Sequence, residues 1–501
     1  MFCTDYIDDR IDKNDEVYGF DALIDKMDIS SIEKKYSREG GRCFHPRTMI
    51  KVLFFAYRNQ MRSSRRIAWA CRSIVQFIYL TGDQKIKYRA LANFRVSHAK
   101  ELEKIFNQTV YMGYQMDLID GKEAYQDGVK IRANAADSKF KKKSEWEEIK
   151  TKFQKEIADY FESSLRTDNA EDLKFGAEND GHSMNTDAKD FKKKLEQFLE
   201  EEKRKPTTEN TELLEKTKAL KAIDTMIDAN PKAQAETWLN ITDPESRFMK
   251  SHGKIEGCFN GQIMTQNQFI TAADLVNAET DFDQTKNLVE KHQSNLPETT
   301  LEKYGADAGY NKGENLKSLA DQNIEGFIPD HNDLYNEKNP DENKFAKSKF
   351  TFNEDADTYT CPANEILEFK TSEIKKGVEL NTYASTPGVC MKCTFREQCL
   401  QTKEDQKLGY RKITVDKYAE YRKEAAARLK TEDGANFYSR RKTEPEPVFG
   451  NIRHNMGFRQ FMVRGLVKAK GEFMIVCSVH NLTKLIKHLP SRAQNTAVCP
   501  T

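Results

Sequence analysis

Residues Ala124–Ala135 read AYQDGVKIRANA. Upstream, apolar residues come in longer runs with helical character. Within this stretch they alternate, with Val129 and Ile131 on one side. Alternation with a period of two marks a half-buried strand. The pair Asp127-Gly128 has two readings: an aspartate carried inside one strand, or a hairpin turning at Asp-Gly, the usual meaning of that dipeptide. On either reading a chain that opens with helices acquires a sheet here, so the expected class is α/β.

Before this point the chain reads as helical. Residues 1–40 are polar and acidic and suggest no role. Pro46 and Thr48 precede MIKVLFFAYRNQM, whose apolar residues cover more than one helical face, as in a buried helix. Ser63 or Ser64 can cap a second helix, RRIAWACR. SIVQFIYLTG ends at Gly82, a helix C-cap. YRALANFRVSHAKELEKIFNQTVYMGYQM holds one or two more helices. Net charge is only +1 over 501 residues, yet the stretch from Gly40 to Gly82 carries eight Lys/Arg and no acid. A local basic patch is the footprint of a polyanion partner. Short basic helices in series suggest a helix-turn-helix-like module, with Arg58, Arg62, Arg65, Arg66, Lys87, Arg89 and Arg95 as phosphate contacts. The competing reading is an ordinary helical domain with a basic face.

Beyond Ala135 the composition shifts twice. Residues 138–236 are dense in Lys and Glu and read as an inserted helical hairpin, with a loop around NAEDLKFGAENDGHSMNTDAKD. Strand character returns in ITDPESRFMKSHGKIEGCFNGQIMTQNQFITAADLV, where glycines punctuate two antiparallel strands. After the helix DFDQTKNLVEKHQSN comes ADAGY. There Asp307 is either a strand-end carboxylate facing a crevice or a helix N-cap. Cys361 and then Cys390, Cys393 and Cys399 show the spacing C-x2-C-x5-C with a remote fourth cysteine. That suits a closed tetrahedral zinc site, structural in kind; the alternative is four reduced thiols. The helical lead-in KYAEYRKEAAARLKTEDGANFYSRR ends in YSRRKTEPEPVFGNIR, Tyr438–Arg453. A helix from about Pro447 onward would be opened by Glu446 and carry Arg453 some two turns on. From Pro447 to Gly471 there are five Lys/Arg and again no acid. FMIVCSVHNLTKLI is an apolar core helix, and the last dozen residues look frayed.

Several classes are excluded. No run of eighteen apolar residues crosses a membrane, and MFCTDYIDDR lacks the apolar segment of a signal peptide. Ten cysteines in a cytoplasmic chain stay reduced. Asp127, Asp307 and Glu446 are oxygen donors that suit Mg²⁺ or Mn²⁺. Two such ions about 4 Å apart serve phosphoryl transfer.

The set YQDGVKIRANA, ADAGYNKGENL, YSRRKTEPEPVFGNIR, GFRQFMVRGL and HNLTKL, in this order, resembles the DDE transposases of bacterial insertion sequences. It is most similar to the group whose last acid lies in a Tyr-Arg-Glu-Lys signature. The basic helical start and CMKCTFREQC also resemble that group, and the likeness runs from about residue 45 to 487. It implies a ribonuclease-H-like mixed-sheet core assembled from 120–137, 237–330 and 416–490. It also implies a helical DNA-binding domain over 1–115, a charged helical insertion over 138–236 and a Cys-rich insertion over 331–415. The resemblance makes Asp127, Asp307 and Glu446 the catalytic, metal-binding acids, with Glu444 a rival to Glu446. It puts Tyr438, Arg441, Arg453, Arg459 and Arg464 on DNA, with Arg453 standing where the group has lysine. The implied function is cleavage of transposon ends in double-stranded DNA and joining of the 3′-hydroxyl to target, in some relatives through a hairpin, by a dimer. The alternative is a catalytically silent DNA-binding derivative.

Overall fold

The structure, a computed structural model, describes residues 7–36, 43–175, 208–251, 253–330, 345–375 and 378–489. Of the loop expected over residues 169–190, residues 169–175 instead continue the helix Lys143–Phe175; residues 176–190, like the frayed terminus from 490 onward, lie outside the described residues.

Strand β1, Glu123–Arg132, is unbroken. Of the two readings of Asp127-Gly128 the strand is realised, and packing gives the reason. A Cβ on Gly128 would stand 2.4 Å from Gln262 Nε2 and 2.9 Å from Asp281 Oδ1. The glycine makes room for a neighbouring strand's side chain rather than turning the chain.

Strands β2 (Phe140–Lys142) and β3 (Trp238–Asn240) close the neck of the first insertion as an antiparallel pair. Next come β4 (Arg247–Ser251), β5 (Lys254–Gln266), β6 (Phe269–Val276), β7 (Lys303–Gly305) and β8 (Glu325–Phe327). Over residues 241–276 three strands, β4, β5 and β6, form where two were expected. The main sheet runs β4-β5-β1-β7-β8, with β6 also paired to β5. β4 takes the first half of β5 and β6 the second. The pairs β1/β5, β4/β5 and β5/β6 are antiparallel, whereas β1/β7 and β7/β8 are parallel. Asn267 and Gln268 join β5 to β6 with φ of 53° and 58°, the two-residue hairpin loop that matches strand twist.

One face of this sheet is covered by the N-terminal helices and by the helix Leu466–Lys487. The first group includes Pro46–Arg58, Ser64–Ser73, Val75–Thr81, Tyr88–Ser97 and Ala99–Gln115. Pro46 sits in the first helical turn, and Gly82 closes its helix at φ 56°. These elements share one continuous core with β1, β5, β6 and the 466–487 helix. The 466–487 helix runs so close to Ala99 that a Cβ on Gly471 would stand 2.6 Å from the Ala99 Cα. Its Glu472, fully buried, accepts the Tyr57 hydroxyl and the Met462 N–H (2.8 Å) and lies 3.6 Å from Arg95. Asn481 pairs with both backbone groups of Ile270 on edge strand β6, at 3.0 and 2.8 Å. The opposite face is covered by Thr285–Asn295, Gly313–Asp321 and Ala419–Lys430 around Leu288, Tyr304, Leu316 and Ile328.

In the first insertion, helices Lys143–Phe175 and Thr208–Asp228 pack together over Trp146, Ile223, Met226 and Leu239. The second insertion is a sheet that the composition did not announce. Strands β9 (Thr351–Asn353), β10 (Thr358–Thr360), β11 (Ile366–Lys375), β12 (Val378–Ser385) and β13 (Lys412–Asp416) pair antiparallel in sequence order.

Candidate active site

The parallel register of β1 and β7 brings two acids together. Its last pair is Tyr125 with Gly305. Two residues further along each chain stand Asp127 and Asp307, and Asp307 keeps an extended backbone (φ −78°, ψ 175°). Adjacent strands lie about 4.8 Å apart, so the carboxylates are neighbours. Both readings of Asp307 are realised at once. It flanks Asp127, and its Oδ1 accepts the Gly309 N–H at 2.8 Å, opening a turn at Ala308–Tyr310. Asp127 Oδ1 accepts the Gly128 N–H at 2.8 Å. Burial pushes the Asp127 carboxyl up to about 6, with Asp307 and Asp281 adding to the rise while the Gly128 N–H and Arg441 oppose it.

Arg441 and Tyr438 reach this pair because the end of helix Glu432–Ser439 docks on the start of β1. Phe437 stacks on Tyr125 at 4.7 Å and accepts the Tyr125 hydroxyl at its carbonyl, 3.2 Å away. Arg440 donates to Glu123 at 2.7 Å and lies over the Tyr125 and Phe437 rings. The Arg441 guanidinium lies 5.8 Å over the Tyr438 ring. Burial raises the Tyr438 hydroxyl's pKa, with Asp307 and Asp127 adding to it and Arg441 opposing, so the phenol stays protonated.

The rival glutamates part company. Glu444 is buried, 8% exposed; it accepts the Gln268 N–H at 2.8 Å and so pins the β5–β6 turn. Glu446 is exposed on helix Pro445–Gly450, which packs against β1 and β5. The helix starts two residues before the expected Pro447. It runs into a π-helical turn, Asn451–Asn455, that carries Arg453. Among the described residues, no three His, Cys, Asp or Glu side chains already surround one point as metal ligands. Asp127 and Asp307 are therefore brought together, and Glu446 lies on the adjoining helix with its side chain in solvent.

The basic residues also divide. Arg65, Arg66, Lys87 and Arg89 are exposed, and Arg65 lies 5.2 Å over the Tyr88 ring, close to exposed Trp69. Arg95 corrects the expectation of a phosphate contact. It is 5% exposed and donates to the Tyr57 hydroxyl (2.8 Å) and the Arg62 carbonyl (3.1 Å). Arg58 forms a two-pronged pair with Glu16 at 2.7 and 2.8 Å. Arg62 donates to the Gln460 carbonyl at 2.9 Å and lies over Phe458. These three tie elements together: Arg62 and Arg95 satisfy carbonyls at helix junctions, and Arg58 pairs with half-exposed Glu16. Near β1, Arg459 and Arg464 are exposed and Arg453 is half-buried. Burial, then the like charge of Arg459, lowers the Arg453 pKa. Segment 457–465 lies along the end of β1, with Phe461 N–H bonded to the Arg132 carbonyl at 2.9 Å.

Behind the carboxylates lies a buried network that periodicity did not reveal. Gln262 Oε1 accepts from Tyr310 (2.6 Å) and Gln126 (3.0 Å), and its Nε2 donates to Asp281 (2.6 Å). Polar residues at inward strand positions were the available signal. In the second insertion, Cys361, Cys390, Cys393 and Cys399 line one cavity. Burial pushes the Cys399 thiol up to about 11; Arg411 opposes, and the other three cysteines add to the rise.

A mixed sheet between helical layers, with Asp127 on β1 and Asp307 just past the end of the adjacent parallel strand β7, defines an α/β protein with two neighbouring carboxylates. Two family models match the chain: a transposase domain (DUF772) over residues 5–97, and a transposase DDE domain over 360–486. Both matched models are transposase domains, and together they indicate an insertion-sequence DDE transposase family, one that acts on DNA and generally uses divalent metal ions. The second match includes the Tyr438–Arg453 motif, whereas Asp127 and Asp307 fall between the two matches. No curated protein and no solved structure matches the chain. Among the described residues no helix is long and apolar enough to cross a membrane.

Proposed function

We propose that this transposase binds the inverted repeats at its element's ends, cleaves the DNA there and joins the freed 3′-hydroxyls to target DNA. Asp127, Asp307 and Glu446 are the acidic ligands of two divalent ions, Mg²⁺ or Mn²⁺. The observation that carries this reading is the juxtaposition of Asp127 on β1 with Asp307 just past the end of the parallel strand β7, with Arg441 and Tyr438 beside them. The mixed sheet with helices on both faces supports a ribonuclease-H-like core from 120–137, 237–330 and 416–490. On that core, 138–236 and 331–415 are insertions and 1–115 supplies DNA-binding helices.

The donor set fits a hard cation. Asp127 is half-buried beside other acids, an excess of negative charge that a divalent ion offsets. Ions bound there would supply activation of the attacking oxygen and stabilisation of the leaving one. Arg441 holds a phosphate oxygen next to the scissile bond. Tyr438, kept protonated, donates a hydrogen bond to the DNA backbone. Arg453, Arg459 and Arg464 continue the phosphate track, and Arg65, Arg66, Lys87 and Arg89 form a second one. To hold such an ion, the Glu446 side chain would turn in from solvent. Two copies, one on each end, act together as a dimer.

The test is cleavage of DNA carrying the element's terminal repeats in Mg²⁺, with denaturing gels to detect nicks, hairpins and joined products. Asp127→Asn, Asp307→Asn and Glu446→Gln each lower cleavage more than about a hundredfold while repeat binding persists. Glu444→Gln retains chemistry on bound DNA. Normal cleavage by Asp127→Asn would overturn the assignment. A wild-type protein that binds the repeats but never cuts them would be a silent derivative.

A further inference from the structure

The four-cysteine cavity lies remote in sequence from the carboxylates and carries a separate inference. Its sulfurs come from the turn after β10 (Cys361), the turn after β12 (Cys390 and Cys393) and the short helix Arg396–Cys399. All four cysteines are free. Backbone N–H groups already aim at two of the sulfurs. Cys361 Sγ accepts from Ala363 at 3.4 Å and Glu365 at 3.3 Å, and Cys390 Sγ accepts from Arg411 at 3.4 Å. Ser385 Oγ lies 2.9 Å from Cys390 Sγ. Arg396 and Arg411 also line the cavity, and Arg411 Nε is buried without a partner. Backbone donors placed in this way go on satisfying a sulfur once it is bound to a metal.

A second observation is the poverty of the core beneath. Among the described residues, the β9–β13 sheet has Phe350, Leu367, Tyr383, Ile413 and Val415 as its own buried cluster, and β11 is exposed along nearly all its length. Units this small that lack a sufficient core are usually held by a metal or disulfides.

We propose that a tetrahedral zinc ion held by Cys361, Cys390, Cys393 and Cys399 is the staple of residues 345–416. The sulfurs do not yet surround one point. Loading therefore rotates them into the cavity, toward Zn–S distances of about 2.3 Å. Each ligating thiol gives its proton to solvent, and Arg396 lies beside the resulting negative charge, whereas Arg411 is already paired with Asp405 at 2.7 Å. Four protein ligands leave no open position, so this ion is structural and independent of the chemistry proposed at Asp127.

The test uses the full chain purified under reducing conditions. Elemental analysis finds about one zinc per chain. Cobalt replacement produces the visible bands of a tetrahedral thiolate site, which need no variant and no DNA. Cys393→Ser and Cys399→Ser each lower bound zinc below about a tenth per chain, whereas Cys43→Ser leaves it at one. Absence of metal and of the cobalt spectrum in the reduced wild type would overturn the proposal. So would disulfides among these cysteines in protein alkylated at lysis, or zinc content unchanged in both serine variants.

Discussion

Replacing Asp127 by asparagine stabilises the metal-free protein, and does so more at pH 8 than at pH 5. The folded carboxyl is pushed up to about 6, against about 3.9 in an unfolded chain. The folded state therefore holds the proton more tightly. Stability is highest below the unfolded value, falls as pH rises from about 4 to 6, and stays lowered above 6. About two pKa units at 1.36 kcal/mol each set a ceiling near 3 kcal/mol. Asp127 is partly exposed, and asparagine must still be desolvated. The expected gain is thus about 1–2 kcal/mol at pH 8 and about half that at pH 5. In thermal unfolding with EDTA this is a rise of roughly 1–2 °C. Adding Mg²⁺ narrows the gap by stabilising only the wild type. A variant no more stable than wild type at pH 8, or one with the same gain at pH 5, would refute the reasoning.

Other outcomes follow from particular contacts. His480 is buried; its Nε2 donates to the Gln268 carbonyl at 2.9 Å, and its Nδ1 accepts from Asn451 at 3.0 Å. Burial lowers its pKa to about 4, so its contribution is present above about 6.5 and lost as pH falls toward 4. It amounts to on the order of 3 kcal/mol, and acid titration of His480→Gln should flatten that part of the profile. Arg95→Ala leaves Glu472 buried without its cation and costs about 3–5 kcal/mol in urea unfolding. Gly471→Ala forces the 466–487 helix off Ala99 and costs about 1–3 kcal/mol by the same assay. Arg65→Ala and Arg66→Ala each reduce the salt dependence of DNA binding by about one unit of slope. Arg58→Ala, paired to Glu16, leaves the slope unchanged.

Local signals in the sequence carried much of the architecture. Alternation in Ala124–Ala135 announced β1, and Pro46 and Gly82 marked helix ends, because φ limits and strand pleat act over a few neighbours. The order of motifs was enough to announce the transposase family. The β9–β13 sheet escaped notice because its longest strand, β11, is almost wholly exposed and imprints no apolar face; the alternation of Ile413 and Val415 in short β13 was the one signal it offered. Which arginines face solvent was equally out of reach. Arg95 and Arg66 look alike in sequence, and only the packing of distant Glu472 separates them. Glu444 and Glu446 stand two residues apart, yet only the β5–β6 turn decides which is anchored. The pairing of Asp127 with Asp307 came from a parallel register between strands separated by a whole insertion. Propensity and period are properties of adjacent residues. Register and burial arise where remote segments meet, and there tertiary structure alone decides.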